Sequence, residues 1–245
     1  RLVLSSDEPQ LVRQGLKIFS LEPLAADDWQ PLLLANHPAQ EVRFELALRL
    51  GDASPGARAA ALTQLAIHNC EDAWLRAAVL SSAKGVAGRV LFDLLREVPP
   101  SDGRAALADG LLATLLGDEP EADLKELLSL LRPAEDHSVA SWQLEIARGL
   151  LQSLDRRQKT AAALGTEFVA VLEPLLQAAR QVIADPAAEL ATRTIAVELL
   201  GREPAALPTD LQLLRSQLTA VAPPELQIAA VDVLIRLNET QLIIE

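Results

Sequence analysis

The fold class that this sequence predicts is all-α, with helical hairpins stacked into a superhelix. Three observations predict it. An apolar pattern of four positions recurs seven times, and Pro, Asp and Asn cluster between the helical segments. In addition, half of the residues are hydrophobic but only 3% are aromatic, because Leu and Ala supply most of the apolar mass. Ala and Leu favour helices, whereas strands favour β-branched and aromatic residues.

The apolar pattern occupies offsets 0, 4, 5 and 8 from an origin, which form a stripe down one side of a helix. One clear copy is Val42, Leu46, Ala47 and Leu50. The other origins are Leu75, Gly103, Trp142, Thr192 and Leu226, with a degraded copy at Val12. Neighbouring origins lie 28 to 50 residues apart. This is the period of a helical solenoid, in which each unit buries its apolar face only against its neighbours.

A second helical segment precedes each striped helix except the first. These segments are predicted near residues 28–35, 57–67, 87–97, 121–131, 167–184 and 209–219. The Pro, Asp, Ser and Asn residues between paired helices end one helix and cap the next. The sequence therefore predicts about six helical hairpins and a leading helix, as one domain over residues 1–245.

The residue after each origin has a long polar side chain. These residues are Arg13, Arg43, Arg76, Arg104, Gln143, Arg193 and Gln227. Acidic residues often lie about a turn away, so we expect the five arginines to form a structural ladder of alternating charges between layers. An arginine track for phosphates is the alternative, and the net charge of −12 weakens it.

The 50-residue interval contains an insertion at residues 153–166 and a longer helix with Pro174 inside it. Arg156, Arg157 and Lys159 form the one tight basic cluster of this acidic chain. Such a cluster is typical of a solvated helix C-terminus, where it complements the helix dipole. Its functional interpretation is a contact for an acidic surface of a partner domain.

No residue is predicted to be catalytic, to bind a cofactor or to bind a metal. Cys70 is the single cysteine, which excludes an internal disulfide and a CxxCH haem attachment within this chain. The three histidines, His37, His68 and His137, lie at helix ends without the spacing of a metal pair. The net charge of −12 argues against nucleic acid and anionic membranes as partners, and no apolar run approaches the roughly 18 residues of a membrane span.

Three tryptophans and the two ends of the chain give further expectations. Trp29, Trp74 and Trp142 begin helices, where we expect them to pack between layers, and an exposed one would indicate an interface. The chain lacks methionine, and both RLVL at its start and QLIIE at its end are apolar. The sequence therefore predicts a fragment of a longer protein, with both ends covered by flanking domains or further repeats.

The hairpin length, the VR or LR opening of the striped helix and the Leu/Ala stripe resemble HEAT repeats. Residues 42–85, with VRFELALRLGD and RAAALTQLAIHNCEDAWLRAAVLSSAKG, look like the HEAT-like middle region of Planctomycetes-type membrane-bound dehydrogenases. In that family a β-propeller related to sugar dehydrogenases precedes the repeats, and a cytochrome c domain follows them. The resemblance implies an extracytoplasmic location and haem c in the parent protein, and it implies no redox residue in this chain.

The sequence thus predicts a structural and protein-interaction scaffold that links a propeller dehydrogenase to a haem domain. A binding module of this kind would use the face that the striped helices line. Two alternatives stay open. One is a stand-alone HEAT adaptor, and the other is a HEAT-fold enzyme such as a bilin lyase or a DNA glycosylase. The net charge disfavours a glycosylase, and the lack of a clustered Cys, His and aromatic pocket disfavours a lyase.

Overall fold

A computed structural model of the chain describes residues 2–18, 30–118, 121–133 and 139–239. These residues form α-helices and short 3-10 segments and include no β-strand, so the predicted all-α class is confirmed. The helices are α1 (Pro9–Ile18), α2 (Gln30–Ala35), α3 (Gln40–Arg49), α4 (Pro55–Asn69), α5 (Ala73–Ser82), α6 (Ala87–Glu97), α7 (Asp102–Asp118), α8 (Glu121–Leu131), α9 (Ser141–Arg156), α10 (Thr166–Ala184), α11 (Leu190–Glu198), α12 (Leu207–Gln217) and α13 (Pro224–Leu237).

The apolar stripe is the buried side of the odd-numbered helices, as predicted. The four stripe residues that begin at Val42 are completely buried; three lie in α3, Leu46 among them, and Leu50 follows it directly. Ile146 in α9 is 1% exposed, and Ala230 and Leu234 in α13 are fully buried. Leu80 in α5 is half-buried. The stripe therefore supplies the packing face of these helices, which we call the striped helices.

The chain divides into two compact units, residues 1–127 and 128–245, and the division falls within α8. In the first unit the striped helices contact one another in chain order, α1 with α3, α3 with α5 and α5 with α7. The intervening helices do the same, α2 with α4 and α4 with α6. Each intervening helix also contacts the striped helix that follows it. The first unit is therefore built from three helical hairpins and a leading helix.

The second unit repeats this packing. Striped helices α9, α11 and α13 contact one another in chain order, and α10 contacts α12. The hairpin partners α10 with α11 and α12 with α13 are also in contact. The prediction of one continuous domain over residues 1–245 stays a prediction.

Three helix starts show capping or proline chemistry. The Asp72 carboxylate caps α5 by accepting hydrogen bonds from the backbone N–H groups of Trp74 (2.8 Å) and Leu75 (3.0 Å). Pro55 and Pro224 each open a helix, where the missing N–H group would have no intrahelical partner. Capping and proline chemistry therefore set these boundaries.

The insertion interrupts the alternation of helices in the second unit. After α9 ends at Arg156, Gln158 takes a left-handed backbone conformation with φ of 55°. A 3-10 segment, Ala161–Leu164, follows, and Gly165 with φ of 107° leads into α10. Pro174 lies inside the 19-residue α10, as predicted. The insertion thus forms an ordered loop between α9 and α10.

Gly103 lets two backbones approach closely in the first unit. A Cβ atom at this position of α7 would lie 2.5 Å from the backbone carbonyl oxygen of Cys70. That distance is too short for a real contact, and a carbonyl in a turn cannot move aside as a flexible side chain does. Glycine at this stripe origin is therefore a packing requirement.

Some sequence predictions concern residues outside the described ones. These are Trp29, His137, Arg1 of the RLVL stretch and the terminal QLIIE. Among the helices that are described, none is both long and apolar enough to cross a membrane.

Candidate functional site

In five repeats the polar residue after the stripe origin reaches back to carbonyl groups that precede its own helix. In α3, Arg43 Nη1 donates to the carbonyl oxygens of His37 (2.6 Å) and Pro38 (2.9 Å). In α5, Arg76 Nη1 donates to Cys70 O at 2.8 Å, and in α7, Arg104 Nη1 donates to Val98 O at 3.3 Å. These oxygens lie where the preceding helix ends, and helix ends leave carbonyl groups without intrahelical partners. We call this arrangement the carbonyl clamp.

Glutamine forms the same clamp in the second unit. Gln143 is 5% exposed, and its Nε2 donates to Leu130 O at 3.0 Å and Arg132 O at 2.9 Å. Its Oε1 accepts a hydrogen bond from the Ala140 N–H at 2.9 Å. Gln227 Nε2 donates likewise to carbonyls in the turn before α13, at 2.8 and 3.1 Å. Donation to carbonyl groups needs N–H donors and no charge, which explains why Gln can replace Arg at this position.

The clamp gives some of the predicted ladder arginines neutral acceptors. For Arg43 and Arg76 the acceptors are backbone carbonyls and the Asn69 side chain, which accepts from Arg43 Nε at 3.1 Å. Arg13 does pair with a carboxylate of the next striped helix, with 3.8 Å between its Nε and Glu45 Oε2. Arg193 is half-buried, and its Nε has no hydrogen-bond partner among the described residues. Arg13 therefore has a carboxylate partner, whereas Arg43 and Arg76 bind neutral acceptors, and the ladder as a whole stays a prediction.

A groove crosses the striped helices of the first unit. It has a volume of about 490 Å³, and Arg13 of α1, Phe44 of α3 and Trp74 of α5 line it. Trp74 is 74% exposed, although we expected it to pack between layers. Leu48, one turn after Phe44 on α3, is also exposed. An exposed tryptophan beside other apolar side chains is a common feature of protein interfaces.

The basic cluster lies where α9 ends. Arg156 and Lys159 are exposed, and Arg157 is half-buried. The left-handed Gln158 turns the chain, and the Lys159 N–H donates to Leu154 O at 3.0 Å. As a result Lys159 lies at a cavity of the second unit. Contact of this cluster with a partner domain stays a prediction.

The cavity of the second unit has a volume of about 430 Å³. Apolar residues from α9, α10 and α13 form much of its lining, and Leu154, Leu172 and Leu237 are among them. The insertion supplies a further part of the lining through residues 159–161. The volume lies within the range of about 300–1,000 Å³ that is typical of ligand pockets.

Two arginines are among the polar residues that line the cavity. Arg202 Nη1 donates to the Asp155 carboxylate at 2.6 Å, and Arg202 Nε is buried without a hydrogen-bond partner among the described residues. Arg236 Nη2 donates to the carbonyl oxygens of Leu200 and Glu198, the latter at 3.5 Å. Burial, reinforced by the neighbouring positive charge of Arg202, lowers the pKa of Arg236 to about 10. Arg236 therefore stays cationic at neutral pH in surroundings that disfavour its charge.

A buried ion-pair network binds the loop 201–204, which carries Arg202. The Asp210 carboxylate, which is fully buried, accepts from Arg180 Nε at 2.7 Å and from the Gly201 N–H at 2.8 Å. Arg180 Nη2 also donates to Glu203 at 2.9 Å. These bonds raise the pKa of Arg180, with the Asp210 hydrogen bond as the main cause. The network fixes the loop 201–204 at the cavity.

Cys70, His37 and His68 were candidates for redox or metal chemistry, and their side chains make hydrogen bonds to residues close in sequence. Burial, followed by the charge and the hydrogen bond of Glu71, raises the pKa of the Cys70 thiol. His37 Nδ1 accepts from the Ala39 N–H at 3.1 Å, and His68 Nδ1 lies 2.9 Å from Gln64 O. No group of three or more His, Cys, Asp or Glu side chains among the described residues could hold a metal ion.

Sequence reasoning missed Arg202, Arg236 and the cavity. One signal could have found the arginines, because each lies ten residues after the origin of its repeat, Thr192 or Leu226. The cavity itself needs the tertiary contacts of α9, α10 and α13 with the insertion. A single sequence carries no direct signal for such a combination.

Comparison of the chain with protein-family models, with curated proteins and with solved structures finds no match.

Proposed function

We propose that this chain is a HEAT-like α-solenoid that serves as a protein-binding scaffold. The contact pattern within each unit supports the proposal, since striped helices and intervening helices each stack in chain order. The carbonyl clamp supports it as well, because one register position does the same work in successive hairpins. Repeat proteins of this kind use extended surfaces built from equivalent helices to bind other proteins.

The exposed Trp74 is the single observation that carries the binding role. A folded protein exposes few large aromatic side chains without a use, and tryptophan is enriched among residues that dominate binding energy. Phe44 lines the same groove, and Arg13 adds a polar edge. A partner segment would place an apolar side chain against Trp74 and make polar contacts at the rim of the groove.

A peptide-display selection on the immobilised protein tests the binding role. We expect selected peptides to share an apolar anchor residue and to lose at least tenfold in affinity on Trp74→Ala. Val221→Ala is the control, because Val221 is 94% exposed and is not one of the groove residues. Peptides that bind both variants equally well would contradict the proposed site, and circular dichroism would show that both variants are folded.

The resemblance of residues 42–85 supports a more specific form of the proposal. In this form the scaffold spaces a sugar-dehydrogenase-like propeller from a cytochrome c domain in an extracytoplasmic electron-transfer protein. The sequence of the full-length protein tests it directly. A propeller before these repeats and a CxxCH motif after them would support the assignment, and the absence of both would contradict it.

A further inference from the structure

The cavity of the second unit goes beyond a scaffold role, because it combines an apolar wall with an incompletely paired cation. Leu154 and Leu172 are almost fully buried, and with Leu237 they form an apolar surface. Arg202 and Arg236 lie on the same cavity. Pockets that bind small molecules have this composition, a mostly apolar lining with a few polar groups that fix orientation.

The pairing of charges around the cavity is unequal. Asp155 is paired with Arg202 at 2.6 Å, and Glu203 shares Arg180 with the buried Asp210. Arg236, by contrast, has only backbone carbonyl oxygens as hydrogen-bond acceptors among the described residues. Carbonyl groups solvate a guanidinium but do not neutralise it, and buried charges are normally paired. The cavity therefore offers a place for one anion beside Arg236.

The chemistry of that anion follows from the surrounding groups. Guanidinium groups bind carboxylates in a planar, two-point geometry. A phosphate would carry up to two negative charges close to Asp155, Glu173 and Glu203, which also line the cavity. A single negative charge meets less repulsion there. The leucine wall requires an apolar body attached to the charged group.

We propose that this cavity binds a small aliphatic monocarboxylate, with its carboxylate on Arg236 and Arg202 and its hydrocarbon chain against the wall of α9 and α10. The insertion that lengthens this repeat is part of the site, because residues 159–161 help to line it. Lys159 also lines the cavity and is its third positively charged residue. The cavity and the groove around Trp74 share no lining residue.

Isothermal titration calorimetry with octanoate, octanol and octylamine tests the assignment. We expect octanoate to bind at least tenfold more tightly than octanol and octylamine not to bind. Octanol binding as tightly as octanoate would overturn the role of the arginines. The absence of octanoate binding at millimolar concentration would overturn the site altogether.

Three variants separate the cavity from other apolar surfaces. Ala161→Phe fills the cavity from a half-buried position without removing a charge, and we expect it to weaken octanoate binding at least tenfold. Arg236→Met removes the cation, and we expect a similar loss, whereas Arg236→Lys should lose only a few-fold because it keeps the charge. Unchanged binding to Ala161→Phe, checked for folding by circular dichroism, would locate octanoate elsewhere and refute the proposal.

A titration with peptides distinguishes a small free acid from a polypeptide C-terminus, which carries the same carboxylate group. A short peptide with aliphatic C-terminal residues is titrated as the free acid and as the amide. Binding of the peptide acid without binding of octanoate would overturn the assignment to a small molecule. Trp74→Ala should leave octanoate binding unchanged, so failure of the scaffold proposal and failure of this one are distinguishable.

Discussion

Gln143 is the most informative single position of the fold, because it forms a complete carbonyl clamp without a charge. Its side chain makes hydrogen bonds to Leu130 O, Arg132 O and the Ala140 N–H, and only 5% of it is exposed. Gln143→Met keeps the length and volume of the side chain and removes the three bonds. At about 1 kcal/mol for each bond, we expect a loss of about 3 kcal/mol in the free energy of unfolding.

Urea denaturation followed by far-ultraviolet circular dichroism measures this effect. With a slope of about 3 kcal/mol per molar urea, the midpoint should fall by about 1 M. The thermal midpoint should fall by about 6–12 °C. Gln212→Met is the matched control, because Gln212 is exposed on α12 and its replacement should change stability by less than about 0.5 kcal/mol. Equal midpoints for the two variants would refute the reasoning that the clamp stabilises the hairpin.

Three further predictions concern the first unit. Arg43→Ala should destabilise more than Arg76→Ala, within about 1–3 kcal/mol, because Arg43 makes three hydrogen bonds and Arg76 makes one; urea denaturation measures the order. Gly103→Ala should cost about 1–3 kcal/mol because its Cβ would lie 2.5 Å from a backbone carbonyl oxygen, and thermal denaturation measures the loss. Since burial and Glu71 raise the pKa of Cys70, iodoacetamide should alkylate it slowly at pH 8 and faster as the pH rises, and Glu71→Gln should accelerate the reaction at pH 8.

Each of these predictions has its own control. Gly56→Ala is the control for the close approach at Gly103. A Cβ at Gly56 would meet no atom within 4 Å, so this substitution should be neutral or stabilising. An equal effect of the two glycine variants would exclude a steric cause. Alkylation in 8 M urea should remove the difference between wild type and Glu71→Gln, and a difference that persists there would contradict the structural origin. A larger loss for Arg76→Ala than for Arg43→Ala would contradict the hydrogen-bond argument.

The local parts of the fold were predictable because local chemistry determines them. The segment predicted at 87–97 is α6 as the structure has it, and the segment predicted at 209–219 is α12 shifted by two residues. Leu46 and Ile146 are buried because a helix with a single apolar stripe has one way to remove it from water. Helix periodicity and capping residues are properties of short stretches, so one sequence contains them.

The site features were less predictable because they depend on partners that are distant in sequence. Arg43 and Arg76 were assigned to carboxylates, but the nearest acceptors are carbonyl groups whose position depends on how the preceding helix ends. A tryptophan at the start of a helix is expected to pack between layers, and only the position of Trp74 on α5 in the structure shows that it is exposed. The cavity needs Asp155, Arg202 and Arg236 together, and these residues span three striped repeats.

The carbonyl clamp also explains how repeats of unequal length coexist in one chain. Arg76 reaches a carbonyl six residues before it, whereas Gln143 reaches carbonyls eleven and thirteen residues before it. The clamp joins the end of one helix to the start of the next, so extra residues elsewhere in a repeat leave it intact. Intervals from 28 to 39 residues between the repeats that begin at Val42 and Trp142 are compatible with the same clamp for this reason. Extra residues can then lie in a single hairpin. The loop between α9 and α10 is one such place, and its residues 159–161 help to form the cavity.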